Sequence, residues 1–356
     1  MKKADFTKEL LRWNKKENTR SMPWKGEKDP YRIWLSEIIL QQTRVEQGWA
    51  YYERFIAAFP DVRSLAAAPE NKVFKLWEGL GYYNRCRNLI ETARRISGEY
   101  GGVFPAAYED IRALKGIGPY TAAAIASFAF GLPHAVVDGN VERVLSRYFG
   151  ISTPVDTAAG KAFYASLAAA LLDRTAPGIY NQAIMDFGAL VCKPQQPLCQ
   201  ACVQRKDCQA YLGQMVSSLP VKKKSLDRKT RWFYYYIVNT QAGVFIRQRQ
   251  TRDIWQHLYE FPLVENTQPL DPAQIRDAFP GRPLFAPNNI RIREVSPPCK
   301  QQLTHQTIQG QFIHVELKGP VANWEGYQLV PRHQLGQYPF PRLITSYLSS
   351  QAPLLP

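Results

Sequence analysis

The chain has 356 residues, of which 45% are hydrophobic and 21% charged. That mix excludes fibrous and disordered classes, and the length suits two domains, each with a core of its own. The formal charge of +15 points to a polyanionic partner without saying which. No apolar run follows the charged start MKKADFTKELLRWNKK, so no signal peptide is expected. The longest stretch free of acidic and basic residues, 116–137, is interrupted by Gly118, Pro119, Gly131 and Pro133, which argues against a membrane helix. The chain reads as a soluble protein.

In chain order, apolar residues recur at helical spacing over Tyr31–Gln47, Val73–Trp77, Arg87–Tyr100, Tyr120–Phe130, Val141–Phe149, Lys161–Leu172 and Asn181–Val191. Asp29 and Pro30 form an N-cap and first-turn pair, predicting that the first of these helices opens there and runs to Gln47. Within it, Glu37 shares a face with Ile33, Trp34, Leu40 and Gln41. A carboxyl set into an apolar stripe is held protonated to higher pH and suits a general acid. The alternative is a surface Glu at the edge of the stripe, and periodicity alone favours it.

The stretch LKGIGPYTA follows, with helical pattern on both sides. Gly116 and Gly118 allow a tight hairpin with close backbone approach, and Pro119 suits the first position of the second helix. Free amides there make a seat for a DNA phosphate; the bland alternative is a plain connection between helices. Asp138, in VVDGNVERVLSR, stands where an N-cap or turn residue would. Together a shielded acid, Glu37, and an ionised partner, Asp138, are what glycosidic cleavage through an oxocarbenium-like state needs.

Cys192, Cys199, Cys202 and Cys208 form a C-x6-C-x2-C-x5-C array, whereas Cys86 and Cys299 stand apart as packing residues. The array suits one metal centre better than two disulfides, and its spacing admits zinc or a [4Fe–4S] cluster. Beyond it, residues 217–231 carry a net charge of +5 in SSLPVKKKSLDRKTR and read as an interdomain linker, either a solvated tether or a phosphate contact. The net charge is +7 over 1–216 and +3 over 232–356. After the linker come short β-branched and aromatic runs, WFYYYIV (232–238), GVFIRQ (243–248) and QFIHVEL (311–317), separated by Pro and Gly. The expected architecture is an all-α domain followed by an α+β or mostly β domain.

The ordered set LKGIGPYTA, VVDGNVERV and the cysteine array resembles the helix-hairpin-helix DNA glycosylases of the endonuclease III superfamily. MPWK (22–25), SEIILQQT (36–43), EGLGYYNR (78–85) and NQAIMDFGALVC (181–192) resemble the blocks of its adenine DNA glycosylase branch (MutY type), in order and across essentially the whole chain. The resemblance implies a multidomain protein: an all-α helix-hairpin-helix glycosylase domain over 1–216 with a [4Fe–4S] cluster loop at 192–208, the basic linker 217–231, and an α+β Nudix-like domain over 232–356. It implies excision of adenine mispaired with 8-oxoguanine or guanine in double-stranded DNA, by a monomer in the bacterial cytoplasm, at the nucleoid and without a membrane partner. By the same resemblance, Glu37 protonates adenine N7, Asp138 stabilises the oxocarbenium ion, and Tyr120 and Asn140 support them. Arg20, Trp24 and Gln182 fall where the family lines the adenine pocket, and Gln42 and Tyr82 where it wedges into the stack. Cys192, Cys199, Cys202 and Cys208 fall on its cluster ligands, while Gly116 and Gly118 fall on its DNA-binding hairpin.

Lyase-competent relatives carry a hairpin-end lysine where this chain has Tyr120, which cannot form a Schiff base; the resemblance therefore implies a monofunctional enzyme. In the C-terminal domain, WQHLYEFPLVE (255–265) and Leu303-Thr304-His305 resemble the 8-oxoguanine-reading module, so Thr304 and His305 would meet the lesion. Three departures matter. Leu303 replaces an aromatic residue, Lys25 replaces an arginine, and 271–279 lacks the acidic Nudix signature that binds Mg²⁺. Competing readings are a glycosylase for another base such as thymine, an inactive DNA-binding protein, and a nucleotide hydrolase working through the C-terminal domain.

Overall fold

The computed structural model describes residues 3–223, 228–281, 284–318 and 323–351. The centre of the expected linker, 224–227, lies outside the described residues, and its last residues, 229–231, already belong to a strand. The chain divides into two compact units, Met1–Ala68 with Asn84–Lys224, and Pro69–Tyr83 with Ser225–Pro356.

Helices run in the order α1 (Lys3–Lys16), α2 (Pro30–Leu40), α3 (Val45–Ala58), α4 (Val62–Ala67), α5 (Glu70–Trp77), α6 (Asn84–Glu99), α7 (Tyr108–Arg112), α8 (Pro119–Phe130), α9 (Gly139–Phe149), α10 (Ala158–Leu171), α11 (Pro177–Leu190) and α12 (Gln209–Leu212). All but α5 belong to the first unit, which is all-α as expected. No described helix is long and apolar enough to cross a membrane.

α2 is the central helix. Asp29 caps it, its side chain accepting from the Tyr31 amide at 2.9 Å, and Pro30 occupies the first turn. Tyr31 and every residue from Ile33 to Ile39 are buried, as in a helix packed on all sides. α8 packs against it, and its residues Thr121–Ser127, four of them alanines, are buried.

The helix expected to continue to Gln47 is two helices. α2 stops at Leu40, the Thr43 amide turns back to the Leu40 carbonyl at 3.0 Å, and α3 starts at Val45. The break comes from Arg85, whose Nη1 donates to the carbonyls of Ile38, Ile39 and Gln41 at 2.8, 2.9 and 2.6 Å. These are terminal acceptors that a continuing helix would have used, and the guanidinium satisfies them instead. Local periodicity cannot report a cap supplied from a distant helix.

The second unit holds α5, with Val73, Phe74 and Trp77 buried, and a mixed sheet. Its strands are β1 (Lys229–Asn239), β2 (Val244–Gln248), β3 (Tyr259–Glu260), β4 (Leu263–Asn266), β5 (Ile290–Val295), β6 (Cys299–Gln302), β7 (Gln306–Leu317) and β8 (Gln328–Val330). The path is β3-β2-β1-β7-β5, with β4 on β1, β6 on β7 and β8 on β2. β1 and β7 pair in parallel from Lys229–Gln306 to Asn239–Glu316; the other pairings are antiparallel. Tyr234, Tyr236 and Val238 alternate onto one face of β1, and pack with Phe245, Phe279, Ile313 and Trp324. α13 (Pro272–Asp277) and α14 (Arg342–Ser350) complete an α+β unit. The β6–β7 hairpin closes with the Leu303 amide on the Gln306 carbonyl at 2.8 Å, which places Thr304 and His305 at its tip.

Candidate active site

Within the first unit a cavity of about 520 Å³ is lined by Arg20, Trp24, Lys25, Glu37, Tyr120, Asp138, Asn140 and Gln182, among others. All the expected catalytic and adenine-pocket residues therefore line one cavity. Glu37 is 7% exposed, so its surface alternative is overturned: α2 is buried all round and the carboxyl reaches only this cavity. Burial pushes its pKa up to about 7, the Tyr120 hydroxyl beside it opposes that rise, and the nearby Asp138 charge adds to it. The Tyr120 hydroxyl also donates to Met185 Sδ at 3.4 Å.

Asp138 is the N-cap of α9. Its Oδ1 accepts from the amides of Asn140 and Val141 at 2.9 and 2.8 Å, and its Oδ2 accepts from Asn140 Nδ2 at 2.6 Å. Burial raises its pKa, while the Val141 and Asn140 hydrogen bonds and the Arg143 guanidinium oppose the rise. The two carboxyls thus differ in kind: Glu37 is set in an apolar wall, whereas Asp138 is held by donors that favour its charge. The segment entering Asp138 is fixed by buried Asn181, which accepts from the Val136 amide at 3.2 Å and donates to the His134 carbonyl and Ser127 Oγ at 2.8 and 2.9 Å.

Two residues that sequence reasoning did not single out hold this site together. Arg143 Nη2 donates to Asn140 Oδ1 and to the Gly188 carbonyl, both at 2.8 Å, and its Nε to the Cys192 carbonyl at 2.7 Å. Asp186, with a fully buried side chain, accepts from Arg20, Lys25, Asn18 and Gln182. The Lys25 ammonium, at the position where the resemblance has an arginine, is engaged with Asp186 at 2.9 Å and with the Arg20 carbonyl at 2.8 Å. The only local signal for Asp186 was its place four residues after Gln182 on one helix face. Trp24 packs its ring against Tyr52 at 5.2 Å and Trp49 at 6.4 Å.

The hairpin forms between α7 and α8. Gly116 has φ +78, and a Cβ there would meet Asn88 of α6 at 2.8 Å, so glycine is required on both counts. Gly118, the N-cap of α8, faces open space and offers no side-chain cap, leaving the first amides of a twelve-residue helix free.

Gln42 and Tyr82 both sit in left-handed backbone, with φ 57 and 50, where non-glycine residues are uncommon. Gln42 is at the tip of the Leu40–Thr43 turn in the first unit. Tyr82 belongs to the second unit, is 44% exposed, and its hydroxyl lies 2.5 Å from Thr304 Oγ1. His305 is exposed at the same hairpin tip, and Arg228 Nε donates to the Thr304 carbonyl at 3.4 Å.

The four clustered cysteines are free thiols. Among the described residues, no three His, Cys, Asp or Glu side chains are close enough together to hold a metal ion. Their loop is nevertheless pinned: buried Arg147 donates to the carbonyls of Lys193, Pro194 and Leu219 at 2.6, 3.2 and 3.0 Å, and to Cys192 Sγ at 3.6 Å. Burial pushes the Cys202 thiol up to about 12, and the charges of Cys192, Cys208 and Cys199 add to the rise. Four thiols gathered on one pinned loop are a donor set that a cation would deprotonate and draw together, so the residue types fit a thiolate-bound centre.

A family model described as HhH-GPD superfamily base excision DNA repair protein matches residues 35–163, and one for the NUDIX domain matches 233–350. The adenine DNA glycosylase of Buchnera aphidicola subsp. Baizongia pistaciae is 35% identical over 263 residues, 72% of this chain and 73% of the relative. That of Homo sapiens is 42% identical over 215 residues, 58% of this chain and 39% of the relative. Among solved structures, a thermostable thymine-DNA glycosylase is 31% identical with a TM-score of 0.55, over 59% of this chain and 97% of that one. A non-covalent endonuclease III–DNA complex shares the fold, at 20% identity and a TM-score of 0.51, over 60% of this chain and 99% of that one.

Proposed function

Because the chain belongs to the adenine DNA glycosylase family, we propose that it hydrolyses the N-glycosidic bond of adenine mispaired with 8-oxoguanine or guanine in duplex DNA, leaving the abasic site uncut. The observation that carries this reading is that one cavity is lined by both a buried Glu37 and an Asp138 held by three hydrogen bonds. The glycosidic bond is out of reach inside the stack, so adenine must be extruded at a cost of a few kcal/mol. The amides at Gly118 and the basic surface would hold the backbone, with Gly116 shaping the hairpin. Gln42 and Tyr82, in strained backbone, would fill the stack as wedges. In the cavity bounded by Arg20, Trp24 and Gln182, Glu37 would protonate adenine N7 and the Asp138 carboxylate would face the positive charge developing on the sugar. Asn140 would favour the charged form of Asp138, while the Tyr120 hydroxyl would orient Glu37 and hold back part of the rise that burial gives its pKa. With Tyr120 in place of an amine nucleophile, the reaction stops at base release.

Cys192, Cys199, Cys202 and Cys208 would hold a [4Fe–4S] cluster. When bound it would supply iron–thiolate bonds tying the four cysteines of the loop to one another. Iron and inorganic sulfide assays should each return about four atoms per chain, as the cluster's formula requires; zinc without sulfide would reject the cluster. The protein would act as a monomer on nucleoid DNA in the bacterial cytoplasm.

The test is single-turnover base release from a duplex with one adenine opposite 8-oxoguanine, run on a denaturing gel with and without alkali. Strand breaks only after alkali are expected. Breaks without alkali would overturn the monofunctional reading. Intact strands in both lanes, with release from a G·T duplex instead, would favour the thymine reading suggested by one structural relative.

Reading of 8-oxoguanine would rest on Thr304 and His305, with Tyr82 tied to Thr304 by the 2.5 Å hydroxyl contact. Tyr82→Phe removes that hydroxyl and keeps the ring. It should lower the preference for 8-oxoguanine over guanine by roughly 3- to 10-fold, the worth of one neutral hydrogen bond. Competition between the two duplexes measures it; an unchanged ratio would leave the contact without a recognition role.

A further inference from the structure

Asp186 lies one turn beyond Gln182 on α11 and its side chain is fully buried. Oδ1 accepts from Arg20 Nη1 and Gln182 Nε2, both at 2.9 Å, and Oδ2 accepts from Asn18 Nδ2 and Lys25 Nζ, both at 2.9 Å. A carboxylate ion-paired to two cations has no hydrogen to give, so the end of the Gln182 amide that faces it must be the nitrogen. The Gln182 oxygen is then the end left over. It has no hydrogen-bond partner among the described residues, it is not sealed inside protein, and Gln182 lines the cavity.

We propose that Asp186 is a positioning residue for base selection: by fixing the Gln182 amide it presents an acceptor to the cavity, favouring a 6-amino purine over a 6-keto purine. This rests on the adenine reading of the same cavity. An exocyclic amine donates to the Gln182 oxygen, whereas a 6-keto group meets it oxygen to oxygen. Accepting the keto base would require the amide to flip, which breaks the charge-assisted bond to Asp186 and turns the amide oxygen toward its carboxylate. Arg20 and Lys25 strengthen the effect, because their ion pairs keep Asp186 an acceptor only.

The test compares single-turnover release of adenine and hypoxanthine, each opposite 8-oxoguanine, in wild type, Asp186→Asn, Gln182→Leu and the double variant. An Asn side chain offers one donor and one acceptor, so it no longer dictates the amide's orientation. The adenine-to-hypoxanthine rate ratio should fall roughly 10- to 100-fold in Asp186→Asn, the range for a hydrogen bond to a charged group. The double variant should match Gln182→Leu, since Asp186 acts through Gln182. Should Asp186→Asn fail to fold, Lys25→Met with Asp186→Asn removes one positive charge together with the negative one, and is read by the same ratio. Rates that fall together with the ratio unchanged would overturn the inference and leave Asp186 a support for the pocket. A wild type that releases adenine no faster than hypoxanthine would overturn it too, and one that releases no adenine at all would overturn the adenine reading as well.

Discussion

Glu37→Gln should abolish measurable adenine release while making the protein more stable at alkaline pH. The two effects share one cause. A carboxyl with a pKa of about 7 keeps a substantial protonated fraction at neutral pH, and a positioned acid of this kind contributes roughly 10²–10⁴-fold to rate. Gln preserves shape and can still meet the Tyr120 hydroxyl, but it has no acidic proton. In wild type the rate attributable to Glu37 should fall as pH climbs through about 7. For stability the sign runs the other way. The folded pKa exceeds the ordinary value of 4.5, so no penalty exists below pH 4.5; between there and 7 the unfolded chain ionises while the folded chain does not. Folding therefore weakens by about 1.4 kcal/mol for each unit of that interval, to roughly 3 kcal/mol above it. Gln escapes this loss. Melting curves of both proteins at pH 4 and pH 8 should coincide at the first and separate at the second, with the variant higher. A variant no more stable at pH 8 would show that the Glu37 charge is not confined as its burial implies.

That buried acid also marks how far a linear reading reaches. Asp29-Pro30, Gly116 to Pro119 and Asp138 were legible because each acts on backbone within three residues of itself, through capping or left-handed geometry. Glu37 was ambiguous because all of Ile33–Ile39 is buried, and a stripe cannot tell its edge from its centre when so many faces are packed. The end of α2 was misjudged because its cap, Arg85, lies 44 positions beyond Gln41. Asp186 went unnoticed for the same reason, since Arg20, Lys25 and Asn18 reach it across more than 160 residues. Likewise, nothing local assigns Pro69–Tyr83 to the same compact unit as Ser225–Pro356, or predicts that Tyr82 meets Thr304. Motif order picked out residues that meet in one cavity; the contacts that orient them are non-local.

Asp138→Asn should cost activity by a route that its cap geometry makes specific. Asn is as good an N-cap as Asp, and its Oδ1 can keep both backbone amides of Asn140 and Val141, so α9 should hold. The loss falls on the other oxygen. Asp138 Oδ2 accepts from Asn140 Nδ2 at 2.6 Å, and an amide nitrogen in its place would set donor against donor. Asn140 cannot relieve this by flipping, because its Oδ1 is held by Arg143 Nη2 at 2.8 Å. The variant therefore loses the negative charge proposed to face the sugar and disturbs Asn140 as well. Removing one preorganised group that meets developing charge costs roughly 10²–10³-fold in the chemical step, and the full charge here places the loss at or above the upper end. Binding of uncleaved duplex should change far less, since the helix start at Gly118, proposed to seat a phosphate, is untouched. Single-turnover rates beside equilibrium binding separate the two. A variant that keeps its rate would remove Asp138 from the chemistry; one that loses binding in proportion would make it part of the DNA-binding scaffold.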